Sequence, residues 1–368
     1  MRMPLFRGMK PKRWGLILSA LVLLSLFLAS CDQYTPSILD SHGPVASREA
    51  GLFWFILVVA TIVFVLVEGV LIYSIIRFRE RPNSPAPKQI HGNNTLEIIW
   101  TVAPSLFLFA VLIGTIYTMF GLAQPAGPNV EVRVVGHQWW WEFDYVHENL
   151  VTADELVVPQ GTTIQLDLES NNVIHSFWIP QLTGKTDVIP GHHNRMWFKA
   201  DDLTTTPYRG ECAEYCGSQH AHMDFNVTVL RQSDYMTWIT TQQQAAAAKP
   251  TDPTALAGQQ LFLGAGNCQG CHGIVGVNLQ GFNDPKTQGL IGPNLTHFGS
   301  RRLIAGGVLS WDPSTCQVVN GKLVNQNSCG LYQWLHDPLG VKPGNDMVIG
   351  QLSDTQIAQL VAYLESLK

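Results

Sequence analysis

The sequence predicts a multidomain chain in three parts: a two-helix transmembrane hairpin, an all-β domain, and a C-terminal domain opened and closed by helices. Three observations carry this. Two apolar runs are each long enough to cross hydrocarbon, about a hundred residues of short β-type runs follow them, and helical patterning returns after a proline-bearing stretch. A length of 368 residues leaves room for two or three domains, and 46% hydrophobic against 14% charged residues points to membrane segments. The net charge of -5 is mild and argues against a nucleic-acid partner, which a basic patch would announce.

Residues 1–30 read as a signal peptide of lipoprotein type. Arg2, Arg7, Lys10, Lys12 and Arg13 precede the apolar run Trp14 to Leu28, and Ala29, Ser30 and Cys31 close it. The Leu-Ala-Ser-Cys ending resembles a bacterial lipobox, which implies lipidation of Cys31; an uncleaved short membrane helix is the alternative. Residues 31–50 form an extracytoplasmic segment, and 51–120 the hairpin. Its spans, Gly51 to Ile76 and Ile98 to Phe120, suffice for about 30 Å of hydrocarbon. Arg77, Arg79, Arg81 and Lys88 between them place that loop in the cytoplasm, so everything after Phe120 is expected outside. Glu68 lies within the first span and Glu97 just before the second. Carboxylates there are costly and become functional candidates, although for Glu68 a hydrogen bond to the neighbouring helix serves equally well.

Residues 129–239 form the all-β domain. Runs such as VEVRVVGHQWWWEFDY, TTIQLDLES, NRMWFKA and DFNVTVL, separated by Gly, Pro and Asn turns, predict an antiparallel sandwich or barrel. Successive strand residues face opposite sides, so the triplet Trp139, Trp140 and Trp141 is expected to turn at least one indole outward. From Glu142 to Ser170 there are acids but no Lys or Arg; this is either an acidic face that steers a basic partner or a solvated one. Residues 240–253, TTQQQAAAAKPTDP, read as a linker with a flexible span of roughly 20 Å, and 254–368 as the third domain.

The chemistry concentrates in CAEYCGSQHAHM, Cys212 to Met223, read with His175 in NNVIHSFWIP. Two thiols four apart, an imidazole four further and a thioether three beyond are soft and borderline donors that suit copper. The residues alone leave open a structural zinc ion, which needs no thioether, and a disulfide. Further on, Cys268-Gln-Gly-Cys271-His272 has the pattern that attaches c-type haem through two thioethers with His as iron ligand; thiol redox pairs and half zinc sites share it. Cys316 and Cys329 remain, and in an extracytoplasmic domain two leftover cysteines most simply pair.

His175 with Cys212-x3-Cys216-x3-His220-x2-Met223 resembles the dinuclear copper (CuA) site of cytochrome c oxidase subunit II. The resemblance implies a cupredoxin-like barrel, with Cys212 and Cys216 bridging two coppers, His175 and His220 as imidazole ligands, Met223 as a weak ligand and Glu214 lending its carbonyl. It also implies that the Glu214 carboxylate serves a magnesium ion shared with subunit I, that Glu97 lies near the mouth of a proton path there, and that Trp139 lies between the copper and the donor's docking surface. His192 stands where that family usually has Arg. The C-terminal part, with IGPNLTHFGSR, Met347 in WLHDPLGVKPGNDMV and a closing helix from Ser353 to Ser366, resembles an all-α class I cytochrome c. Met347 would be the sixth haem ligand, followed by Val348 where Pro is usual.

These readings imply the electron-accepting subunit of a bacterial haem-copper terminal oxidase in the cell membrane. Electrons from an external cytochrome c or other donor, by way of the chain's own haem c, would reach CuA and then subunit I, where oxygen is reduced and protons are pumped; subunit III is a further expected partner. A nitric oxide reductase subunit, a nitrous oxide reductase, a membrane-tethered electron shuttle and a copper assembly factor are the alternatives. A quinol oxidase subunit II keeps the fold but loses the copper ligands.

Overall fold

The computed structural model describes residues 35–82, 92–123, 129–246 and 249–368, with Ser19 and Gln89 besides. The signal peptide over 1–30, Cys31 and the loop residue Lys88 lie outside the described residues. Two long apolar helices come first, α1 (Pro44–Arg77) and α2 (Asn94–Gly121). α1 starts seven residues before the apolar run does. Proline suits a first turn because its missing N–H would have no helical partner there. This leading turn buries Val45, Ala46 and Ala50, and Ala46 N donates to Leu182 O of the β domain at 3.3 Å. In α2 the Asn93 side chain caps Thr95 N and Leu96 N at 3.1 and 3.2 Å. The Glu97 carboxylate returns to Asn93 N at 3.4 Å, so this acid closes a capping arrangement at the head of α2. Both helices leave their apolar side chains exposed, as helices bound for lipid do.

The β domain contains β1 (Asn129–His137), β2 (Trp140–Tyr145), β3 (Leu150–Ala153), β4 (Glu155–Pro159), β5 (Thr163–Ser170), β6 (His175–Trp178), β7 (Thr186–Val188), β8 (Asn194–Lys199), β9 (Tyr208–Cys212) and β10 (Asp224–Leu230). They form two five-stranded sheets, ordered β3-β2-β1-β5-β8 and β4-β10-β9-β6-β7. Alternation is strict where it was expected: β5 and β10 bury every second residue, which gives each sheet one apolar face. The sheets are mixed rather than antiparallel throughout, because β1 pairs parallel with β5 and β10 parallel with β4. Each parallel partner is reached by a crossover, a feature that alternation within single strands does not encode. Between the sheets Trp141, Phe143, Phe177 and Phe225 are fully buried, with Phe177 and Phe225 stacked at 4.7 Å. Burying each such ring stabilises the fold by about 1.5–3 kcal/mol.

α3 (Gln232–Gln242) leaves the β domain and runs into the expected linker, whose first residues are therefore helical. Ala246 is buried and its N–H donates to Val275 O, while Gln243 Nε2 donates to Glu148 O at 2.6 Å. This part of the segment is packed against the folded body. α4 (Pro253–Leu263) is capped by the Asp252 side chain on Ala255 N. Two short hairpins follow, β11 (Leu303–Ile304) with β12 (Leu309–Ser310), and β13 (Val318–Val319) with β14 (Lys322–Leu323). The chain ends in α5 (Gly330–His336), α6 (Pro338–Val341) and α7 (Asp354–Glu365). α7 opens on a capping box, with Ser353 and Gln356 satisfying each other's backbone N–H groups. It crosses α4 closely because Gly258 has no side chain to meet the Gln359 backbone and Tyr363. The expected all-α class is thus not met: hairpins and 3-10 turns fill the insertion between α4 and α5, where a disulfide joins Cys316 to Cys329.

The C-terminal domain has its own core around Phe262, Leu331, Leu360 and Tyr363. Its Val275, Leu279 and Phe282 instead join the core of the β domain. The two domains share an apolar seam.

Candidate metal centre

The cluster sits at one end of the β domain, where β6 begins at His175, β9 ends at Cys212, and the loop from Cys212 to Met223 returns into β10. Phe177 pairs with Cys212 across β6 and β9, so the ladder fixes His175 beside the first thiol. Gly136 of β1 lies under the imidazole, and a Cβ there would come within 2.8 Å of His175 Cδ2. Cys212 Sγ lies 3.8 Å from Cys216 Sγ and 3.8 Å from His175 Nδ1. Cys216 Sγ lies 3.7 Å from His220 Nδ1 and 3.8 Å from Met223 Sδ, and the Glu214 carbonyl is 3.2 Å from Cys212 Sγ. His175, Cys212, Cys216 and Met223 are buried, His220 is half-buried and the Glu214 side chain is exposed.

Two facts decide what this set can do. At 3.8 Å the thiols are apart, well beyond the roughly 2.05 Å of a disulfide. Each thiol also faces its own imidazole, so the donors fall into two equivalent halves sharing a sulfur pair, which is the donor chemistry a dinuclear soft-metal centre requires. Hydrogen bonding from Cys216, with help from His175, pulls the Cys212 thiol well below the ordinary thiol range, and sharing with Cys212 together with burial pushes Cys216 up. The hydrogen bonds at Cys212 thus favour the thiolate, the form that binds metal.

The surroundings orient the donors. Asn172 Oδ1 lies 3.0 Å from His175 Nε2, which leaves Nδ1 toward the thiol. Trp139 Nε1 and Gln138 Nε2 both donate to Cys216 O, at 3.1 and 2.7 Å, and Trp141 Nε1 donates to Met223 O at 3.2 Å. Of the three tryptophans, Trp141 is core and Trp140 stacks on His137 with 4.1 Å between ring centres. Trp139 is buried as well, because the C-terminal domain lies over it: a Cβ on Gly344 would be 3.6 Å from its ring. Trp140 is the half-buried indole of the three, and Trp139 is covered by the C-terminal domain.

Several acids of the run have partners within the chain. Asp144 and Glu169 flank Arg133 at 3.0 and 3.9 Å, Asp167 pairs with His193, and Glu155 accepts Arg302 N at 2.6 Å. Asp154 is buried and accepts Trp141 N at 2.8 Å; desolvation raises its carboxyl to about 6. Glu142 is likewise raised to about 7, by desolvation, and lies 3.8 Å from His137.

In the C-terminal domain Cys268 opens a 3-10 turn that ends at Cys271, both thiols free and half-buried. His272 Nδ1 donates to Pro293 O at 2.9 Å, which fixes the tautomer and leaves Nε2 available to a metal. Gly292 abuts the same ring, where a Cβ would lie 2.5 Å from His272 Cε1. Cys268 and Met347 pack against the same apolar cluster, so the attachment segment and the distant methionine meet on one core. The residue after Met347, Val348, is 75% exposed. These donors fit a covalently held haem with His and Met ligation.

Asn172, Gln219 and Lys342 carry no signal in the sequence. Lys342 is 3% exposed and its ammonium donates to Trp139 O, His222 O and Ala305 O at 2.6, 2.8 and 2.7 Å. In the sequence it is one lysine among loop residues, and only the three-dimensional packing buries it.

Residues 147–230 match the family described as cytochrome c oxidase subunit II, periplasmic domain, and residues 32–116 the corresponding transmembrane domain. Cytochrome c oxidase subunit 2 of Alkalihalophilus pseudofirmus is 34% identical over 354 residues, covering 94% of this chain and 95% of its own. The protein of the same name from Bacillus subtilis is 31% identical over 375 residues, covering 97% and 98%. Quinol oxidase subunit 2 of Bacillus anthracis is 29% identical over 245 residues, covering 65% and 83%.

Proposed function

This chain belongs to the cytochrome c oxidase subunit II family and is the electron-accepting subunit of a haem-copper oxidase; on that footing we propose that its C-terminal domain is a haem c donor built onto its own copper domain. The cluster at Cys212 binds copper of the CuA type, and the chain is a membrane protein partnered by subunit I. His175, Cys212, Cys216, His220, Met223 and the Glu214 carbonyl hold the copper pair, and Cys268, Cys271, His272 and Met347 hold the haem. When loaded, both groups supply one-electron chemistry, each electron lost by an external cytochrome c or other donor being gained by subunit I.

The chain's own residues set the conditions. Neighbouring strands β6, β9 and β10 of one sheet hold His175, Cys212 and both ends of the loop that carries the other donors, so little rearrangement accompanies a change of charge. Trp139, bonded to Cys216 O and lying under the 342–344 loop, occupies the side where electrons arrive, and that side is reached from the C-terminal domain. The Glu214 carboxylate is exposed and free to serve a magnesium ion shared with subunit I. Glu97 is placed at the head of α2 for a proton path in the partner, although its capping bond to Asn93 N gives it a structural task as well. The hairpin loop faces the cytoplasm and both redox domains the outside, with Cys31 as a lipid attachment point and subunit III as a further neighbour.

The observation that carries the copper assignment is the pairing of each thiol with its own imidazole. Retention of the thiols, imidazoles and thioether together disfavours the quinol-type reading. Haem staining after denaturing electrophoresis of the purified full chain tests the donor assignment: a covalent haem band lost in Cys268→Ala/Cys271→Ala is expected. A chain without haem, in which both thiols alkylate freely, would contradict it.

A further inference from the structure

We propose that Lys342 is a positioning residue that clips the C-terminal domain onto the metal-binding loop and so fixes the path between the two redox sites. The inference rests on the haem c assignment above, but its geometry stands on this chain's own atoms.

An ammonium has three donors, and here all three are spent on backbone carbonyls from separate segments. Trp139 O belongs to the residue whose indole holds Cys216 O, and His222 O to the residue between the candidate ligands His220 and Met223. Ala305 O belongs to the C-terminal domain itself. On its other side Lys342 is tied to the candidate haem ligand. Asn345 Nδ2 donates to Lys342 O at 2.6 Å, and Asn345 Oδ1 accepts Met347 N at 2.7 Å. One side chain thus joins the backbone around the copper donors to the backbone that presents Met347.

The neighbours support the same contact. Gln219 Nε2 donates to Pro343 O at 2.8 Å, and Gly306 O accepts Asp224 N at 3.0 Å. Gly306 has φ +66°, and a Cβ there would lie 2.6 Å from Lys342 Nζ and 2.7 Å from Trp139 O. Only glycine leaves room for the ammonium to reach its acceptors. Burying a cation this deeply is costly unless its hydrogen bonds are complete, and here three carbonyls complete them. Asp154 and Asp224 supply the compensating negative charge, and burial still lowers the lysine to about 8.

The clip has a kinetic meaning. A domain held only by a linker samples many orientations, of which few bring the two sites together. A domain pinned through Lys342 keeps the 342–347 loop on Trp139 in every molecule. The shared apolar seam supplies adhesion, and Lys342 supplies the register.

Hydrogen exchange of the full-length protein, comparing wild type with Lys342→Met and Gly306→Ala, tests this. Both variants are expected to raise exchange about tenfold or more in peptides covering 216–223 and 341–347, with β5 and α2 unchanged. In the loaded protein, electron transfer from haem to copper after rapid photoreduction is expected to slow about tenfold in each, while copper and haem contents stay as in wild type and, in Gly306→Ala, which keeps the ammonium, so do both midpoint potentials. Unchanged local exchange in both variants overturns the proposal. So does a rise in exchange throughout the chain in both, which would make Lys342 a determinant of folding, and so does a wild-type internal rate. Absence of covalent haem would overturn the donor assignment alone, because the exchange comparison needs no cofactor.

Discussion

At the end of the β domain, Cys212, Cys216, His175, His220 and Met223 each lie within 3.8 Å of another donor, on a loop pinned by β6, β9 and β10. In the C-terminal domain, Cys268 and Cys271 ride a single 3-10 turn, and the loop carrying Met347 ends in an exposed Val348. The difference follows from the scaffold. Neighbouring strands of one sheet cross-link distant segments residue by residue, so donors far apart in sequence arrive together. The C-terminal domain packs Cys268 and Met347 against one core, which also holds the Cys316–Cys329 bridge, and among the described residues no ladder joins the two segments.

Breaking each region should therefore fail differently. Cys212→Ser removes a shared sulfur and should cost copper affinity beyond the roughly 10–100-fold of an outer-shell change, read as bound copper per chain after dialysis. The C-terminal haem content should not change; if copper is retained at wild-type level, the assignment of the bridging thiols is wrong.

Cys316→Ser/Cys329→Ser probes the other scaffold. Closing a loop of this length is worth about 3 kcal/mol, so the denaturation midpoint of the C-terminal domain should fall while copper binding in the β domain persists. Equal loss in both domains would show that the shared seam, and not the bridge, sets the stability of the helical part.

The smallest effect concerns Glu142, in the rigid region. Its carboxyl is raised to about 7 by burial, from an ordinary value of 4.5. The folded state thus holds a proton that the unfolded state releases, so Glu142's contribution is full below about 4.5 and is lost as pH rises through 7. Relative to Glu142→Gln, the wild type should lose on the order of 2 kcal/mol across that window, measured as the difference in unfolding free energy against pH. His137, lowered to about 4 by burial, acts with the opposite sign and is common to both proteins. A pH-independent difference would show that Glu142 is not buried as a neutral acid.

Much of the site was legible in sequence because its chemistry is local. The Cys212–Met223 spacing and the Cys268–His272 run place soft donors at distances a loop must respect, and apolar run length placed both spans to within a few residues. What was not legible depends on long-range packing. Alternation revealed the strands but not that β1 meets β5 in parallel. The acids after Glu142 are one run in the sequence, whereas their partners Arg133, His193 and the Arg302 backbone come from other segments. Composition shows that 240–253 lacks a core pattern but not that Ala246 finds a place in a neighbouring core. Strand parity turns one indole of the triplet outward without saying which and takes no account of a second domain laid over Trp139, and the lysine that holds that domain down is invisible until Trp139 O, His222 O and Ala305 O come together.

The central claim is that one chain carries a dinuclear copper centre and a covalent haem c, and electron paramagnetic resonance of the purified, oxidised full-length protein with an optical spectrum of the reduced form tests it most directly. The account predicts one unpaired spin shared over two copper nuclei together with a reduced c-type haem band. A copper signal confined to one nucleus, or the absence of the haem band, would contradict it.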